Sequence, residues 1–144
     1  MVNHVPPGQA SDLTWLLSGL VERVPHTRSA VLLSSDGLTT AVHGMEPDDA
    51  DHLAAIASGL FSIARSAGTK FGGSSGVRQV VAELDDTLLF VSSAGFGSVL
   101  AVLANREADA GVLGYEMSQL VKAVRPSLAT PARRAGVASR DPAR

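Results

Sequence analysis

Four groups of residues in this chain are of types that do chemistry. The run Gly72-Gly73-Ser74-Ser75-Gly76 has the composition of a phosphate-cradling loop, and Glu46, Asp48, Asp49 and Asp51 could offer carboxylates to a hard cation. His4, His26, His43 and His52 supply imidazoles, and serines such as Ser11 and Ser18 supply hydroxyls. Each group lacks what its chemistry requires. A phosphate loop of the Walker type needs Gly-Lys-Ser/Thr opening a helix; here a strand pattern follows, so the glycines read as a flexible helix-to-strand connection. Gly95-Phe96-Gly97 reads in the same way as a hairpin turn. The histidines have no metal-ligand spacing, and without cysteine or an HExxH helix they form no zinc set. The acidic cluster opens a helix, where the positive end of the dipole favours carboxylates without any metal. The serines have no evident His/Asp partners. The expectation is therefore no catalytic residue, no metal site and no cofactor.

What remains is the scaffold that would position these residues, and its composition bounds its partners. The 144 residues suit one domain, with 45% hydrophobic and 4% aromatic residues, so the core must be built largely from aliphatics and alanine. The formal charge of −2 argues against nucleic-acid binding. That total hides an asymmetry, because residues 1–126 hold 13 acids and 8 bases whereas residues 127–144 hold 1 acid and 4 bases. The absence of cysteine excludes disulfides and thiolate chemistry. No apolar run approaches the roughly 20 residues needed to span a bilayer, and no signal peptide opens the chain. A cytoplasmic protein is expected, reaching a membrane only through partners. Residues 1–10, with Pro6-Pro7-Gly8, read as a disordered lead-in, residues 11–130 as the folded domain, and residues 131–144 as a disordered basic tail.

Between the ends the elements can be ordered. Asp12 is placed to cap a first helix whose Leu13, Leu16, Leu17, Leu20 and Val24 share a face, with Pro25 stopping it. Two strands flank Ser35-Asp36-Gly37, a hairpin signal. A long helix follows over 47–67, with Pro47 in its first turn. Three strands come next, over 77–84, 88–92 and 99–103, and a last helix over about 109–125 presents Leu113, Met117, Leu120 and Val124 inward. The strands at 30–33, 88–91 and 99–103 are apolar on successive residues, so both their faces must be covered. Strand 77–84 is more polar and suits an edge. The pattern predicts an α/β fold of the α+β type, a three-layer α/β/α domain around a five-stranded antiparallel sheet, in the order helix-strand-strand-helix-strand-strand-strand-helix.

The long helix has two usable faces. Leu53, Ile56, Leu60 and Ala64 read as a core stripe. The opposite face carries Ala55, Ser58, Gly59, Ser62 and Ser66, with Arg65 as its only charge, whereas a solvated face would carry several long charged side chains. Small residues let another helix approach. A symmetric homodimer would cover this face and the polar edge strand together, so Val77, Gln79 and Val81 join the helix residues in the expected interface. Asp48, Asp49, Asp51 and Arg65 could form a surface for a further partner. Trp15 and Tyr115 stand off their helices' core stripes. Either they seal a groove between the first and last helices, close-packed at Gly19 and Gly111, or they are exposed anchors for a partner; the two glycines favour sealing.

From Asp12 to Pro131 the chain resembles the roadblock/LC7 proteins, in particular their actinobacterial branch. The carriers are Asp12-Leu-Thr-Trp-Leu-Leu17, Val24-Pro25, Ala30-Val-Leu-Leu-Ser-Ser-Asp-Gly-Leu38 and Leu53-Ala-Ala-Ile-Ala-Ser-Gly-Leu60. Gly72-Gly73, Val77-Arg-Gln-Val80, Gly97-Ser98, Leu100-Ala-Val-Leu103, Gly114-Tyr-Glu-Met117 and Pro131 follow in order. The resemblance implies a homodimer with one sheet continuous across two protomers, joined through the long helix and the strand after it. It also implies a non-enzymatic scaffold or regulator of a small Ras-like GTPase, beside a sensor-kinase-like protein. The other class consistent with the element order is a small-molecule sensor of PAS, GAF or profilin-like type, which would need a pocket with convergent polar groups.

Overall fold

The chain is seen in a computed structural model that describes residues 7–73 and 76–140, with side chains described over 12–73 and 76–126. Its helices are α1 (Pro7–Arg23), α2 (Pro47–Phe71) and α3 (Ala110–Arg140). Its strands are β1 (Thr27–Ser34), β2 (Thr39–His43), β3 (Gln79–Glu83), β4 (Thr87–Gly95) and β5 (Ser98–Asn105). The five strands form one antiparallel sheet in the order β2-β1-β5-β4-β3, so β2 and β3 are the edges.

Strand alternation sorts the apolar residues between two cores. Ala30, Leu32, Leu88, Phe90, Leu100 and Val102 face α1 and α3, whose Leu13, Leu17, Leu20, Leu113, Met117 and Leu120 cover them. Val31, Leu33, Leu89, Val91, Val99 and Ala101 face α2. The register keeps like with like, pairing Leu32 with Leu100 and Val31 with Ala101. This is the expected three-layer α+β domain, with β1, β5 and β4 buried on both faces and β3 at an edge. The Ser35–Gly37 turn closes as expected: Gly37 takes φ +91°, and the Leu38 N–H donates to Ser34 Oγ at 3.1 Å. The second turn puts Phe96 at φ 53° between two glycines, a left-handed conformation that the flanking Gly95 and Gly97 share.

Three helix boundaries or faces differ from the sequence pattern. The first helix starts at Pro7 rather than Asp12, because a proline fits the first helical turn and nothing breaks the helix between it and Leu13. Residues 1–6 of the expected lead-in lie outside the described residues. The last helix continues through Pro126 and Pro131 to Arg140, where the sequence pattern predicts an unstructured tail. A helical proline costs about 3 kcal/mol and kinks the helix, but does not forbid it. The segment from Leu128 to Ala135 is rich in alanine, arginine and leucine, all strong helix formers.

The third difference matters most. The face of α2 that packs on the sheet is Ala50, Leu53, Ala54, Ala57 and Phe61, not a stripe through Ile56. Three alanines let α2 lie close over the sheet, where it touches all five strands. The rotation that buries them turns Ile56 and Ile63 outward, 55% and 70% exposed. Leu60 is only partly buried at the flank.

Candidate functional site

The residues named by the sequence separate into those gathered on one outward surface and those occupied elsewhere. In the helical projection of α2, Ala55, Gly59, Ser62 and Ser66 point away from the sheet, and all are exposed. Gly59 has no atom within 4 Å of the position a Cβ would take, so this part of the helix is an open floor. Ile56 and Ile63 flank that floor, one helical heptad apart. Periodicity misses them because it assigns every apolar residue at helical spacing to the core. A signal is nonetheless present: an alanine ridge at 50, 54 and 57 competes with the isoleucines for the inward side, and two isoleucines on a small-residue face mark a second apolar surface.

Ser58 is different. It is half-buried at the side of α2, and its hydroxyl donates to the Ser35 carbonyl at 2.8 Å, tying the helix to the β1–β2 turn. Asp51 is likewise engaged, its Oδ1 accepting from Thr39 Oγ1 at 2.9 Å. Asp48 and Asp49 remain exposed in the first turn after Pro47. Arg65 leaves the outward face and lies over the Phe61 ring, 5.2 Å from its centroid, a cation–π contact that also shields the core residue. Phe71 at the end of α2 is 83% exposed.

The edge strand divides its residues between the two layers. Val80 and Ala82 pack toward α2, joined by Val77 just before the strand, while Val81, directly opposite Phe90 in the register, lies on the α1/α3 side with Gln79. Val81 is half-exposed. Among the strands, β3 pairs only with β4, so its outer backbone edge has no strand beside it. Arg106 secures the far end of this edge, donating to Glu83 at 2.9 Å and to the Asp85 carbonyl at 3.0 Å.

Trp15 and Tyr115 do not seal a groove: they are 74% and 61% exposed. The Gly19 and Gly111 positions face only the Arg23 guanidinium and the Asp109 carboxylate, not a neighbouring helix backbone. Charge, not glycine, joins α1 to α3, through Arg23 Nε and Glu116 Oε1 at 3.1 Å. Both rings therefore stand on the surface. Among the described residues, which include His26, His43 and His52, no three His, Asp or Glu side chains are grouped to hold a metal. His4, Ser74 and Ser75 lie outside the described residues. No described helix is long and apolar enough to cross a membrane.

Two open clefts adjoin these surfaces. One, of about 690 Å³, runs between the start of α2 and β1, with Glu46, Asp49, His52 and Ile56 along one wall and Arg28 opposite. The other, of about 680 Å³, lies between α3 and the β3–β4 edge beneath Tyr115.

The described residues thus present an exposed apolar helix face and an unpaired strand edge on a three-layer sheet. The chain belongs to the Roadblock/LC7 domain family, which matches residues 13–104. A Roadblock/LC7 domain from Streptomyces avermitilis is 70% identical, superposes with a TM-score of 0.79, and is covered over 98% of its length by 81% of this chain. An MglB solved in a tetrameric arrangement is 16% identical with a TM-score of 0.79, covering 87% of this chain and 93% of its own. Gliding protein MglB from Thermus thermophilus is 17% identical with a TM-score of 0.78, covering 87% and 94%. At those identities the two MglB structures share the fold alone. Among curated proteins there is no match.

Proposed function

We propose that this chain is a homodimeric, non-enzymatic scaffold or regulator of a small Ras-like GTPase in a bacterial signalling system. The observation that carries this reading is the outward face of α2. Ile56 and Ile63 border a floor of Ala55, Gly59, Ser62 and Ser66 with no long charged side chain on it, next to the free edge of β3. Helix against helix and edge against edge, a two-fold partner covers both liabilities at once. Such pairing extends the sheet to ten strands and sets two copies of α2 side by side. The multi-subunit arrangement of the MglB neighbour is in keeping with a fold that assembles through its surfaces.

The composite surface then presents Asp48 and Asp49 from each protomer, a negative rim that steers a basic patch on the GTPase. Trp15 and Tyr115 offer aromatic anchors on the opposite layer for a second protein, for which a sensor-kinase-like component is the candidate. Regulation comes from holding one switch conformation of the GTPase, or from tethering it, and not from an arginine finger. Arg65 is occupied over Phe61, and Arg78 lines the cleft between α3 and the β3–β4 edge. The test is hydrolysis by the cognate GTPase with Arg65→Ala and Arg78→Ala. A finger is worth about 10³–10⁵ in turnover, so unchanged stimulation supports the scaffold reading. Loss to the unstimulated rate with binding intact overturns it.

A further inference from the structure

The cleft between α3 and the β3–β4 edge has a chemistry of its own. Arg78 enters from the chain before β3, and Lys122 and Arg125 from successive turns of α3. None of the three has a carboxylate partner among the described residues, whose ion pairs are Arg23–Glu116 and Arg106–Glu83. No acid is among the described residues that line the cleft. The two acids nearest in sequence are used elsewhere: Glu116 is turned to Arg23, and Asp109 accepts from the Val112 N–H at 3.0 Å. Three unpaired cations around one concavity create a positive field that favours an anion.

The floor of the cleft is polar as well. Ser92 on β4 is 93% buried, a relative exposure of 7%, and its hydroxyl has no hydrogen-bond partner. It lines the cleft beside Gln79, whose amide is also there. A buried hydroxyl left without a partner is unfavourable and uncommon in folded proteins. Its oxygen is closed off beneath the cleft lining, so it adds to the polarity of the floor and is not itself a contact for a ligand. Gly111 and Gly114 keep α3 low on that side, Met117 and Val121 give an apolar lining, and Tyr115 forms the rim. The volume of about 680 Å³ lies within the range of about 300–1,000 Å³ for small-molecule sites.

The geometry points to this cleft as a binding site for a small organic anion, a molecule with phosphate or carboxylate groups on an aromatic or apolar body. The anionic groups meet Arg78, Lys122 and Arg125, the body lies on Met117 and Val121 under Tyr115, and a polar atom meets the Gln79 amide. The site is complete within one protomer, so it goes beyond the dimer reading and does not rest on it. Because Val77, Arg78 and Gln79 line the cleft and lead into the free edge strand, occupancy would stiffen the strand that the dimer uses.

The test is titration of the full chain followed through its amide resonances, with phenyl phosphate as the phosphate probe and phthalate as the carboxylate probe. Saturable shifts at Ser92, Gly114 and Tyr115 with either probe support the site, and the tighter probe identifies the anion class. Lys122→Glu should weaken binding by about tenfold or more. Gly114→Leu should abolish it, since the added side chain enters the cleft and meets only the Gln79 amide, 3.9 Å from its Cβ. That variant also replaces a helical glycine, so its melting temperature should hold or rise. Absence of shifts with both probes overturns the proposal, as does binding that survives Gly114→Leu.

Discussion

Replacing Ile56 and Ile63 together by alanine should convert the protein from dimer to folded monomer. In one protomer these side chains are 55% and 70% exposed, so they contribute little to its own core. Burying an isoleucine side chain completely is worth about 1.5–3 kcal/mol, so covering the exposed fractions contributes about 1–2 kcal/mol each. Two-fold symmetry uses each residue twice, giving about 4–8 kcal/mol from four side chains. Alanine keeps the Cβ, and the loss is then about two to four powers of ten in dimer Kd, at 1.4 kcal/mol per tenfold. The protomer should barely change, because alanine is a better helix former than isoleucine and the lost contacts are at the surface. Sedimentation equilibrium over a wide concentration range measures the shift, and circular dichroism melting at low concentration measures the protomer. Two results would refute the reasoning: wild-type protein monomeric at tens of micromolar, or a double variant that associates as tightly as wild type.

Other substitutions probe neighbouring links of the same chain of cause. Gly59→Glu with Ser62→Lys places charges where a Cβ at Gly59 meets no atom within 4 Å, so the monomer should fold and sediment as such; persistence of the dimer would remove the α2 face from the interface. Gly44→Ala should be among the most damaging surface changes. Gly44 has φ +91°, and a Cβ there would stand 2.5 Å from the Arg28 carbonyl oxygen. Strain in this backbone region alone costs about 1–3 kcal/mol, and urea unfolding should show a loss of at least that size. Calorimetry with magnesium and GTP or ATP should detect no binding to the purified chain, because Gly72-Gly73 follow a helix instead of opening one. Tight magnesium-dependent binding would overturn that reading of the loop.

The sequence by itself determined the layers. Unbroken apolar runs at 30–33, 88–91 and 99–103 require cover on both faces, and strand alternation then assigns each residue to one core without reference to the rest of the chain. The polar strand at the edge, the hairpin at Ser35–Gly37 and the inward stripes of α1 and α3 follow from equally local rules. The outward rotation of α2 was decided only by the tertiary structure. Periodicity identifies a helix but not which of two apolar stripes faces inward; close approach to the sheet selected the alanines and left Ile56 and Ile63 outside. The exposure of Trp15 and Tyr115 was settled in the same way, by how α1 and α3 lie on the sheet, which helical periodicity alone does not give. The continuation of α3 past Pro126 shows a local stop signal overridden by the helix formers beyond it. The cationic cleft was hidden for the plainest reason. Arg78, Ser92, Gly114 and Lys122 come from three separate stretches of the chain, and only folding brings cations from two of them around one concavity.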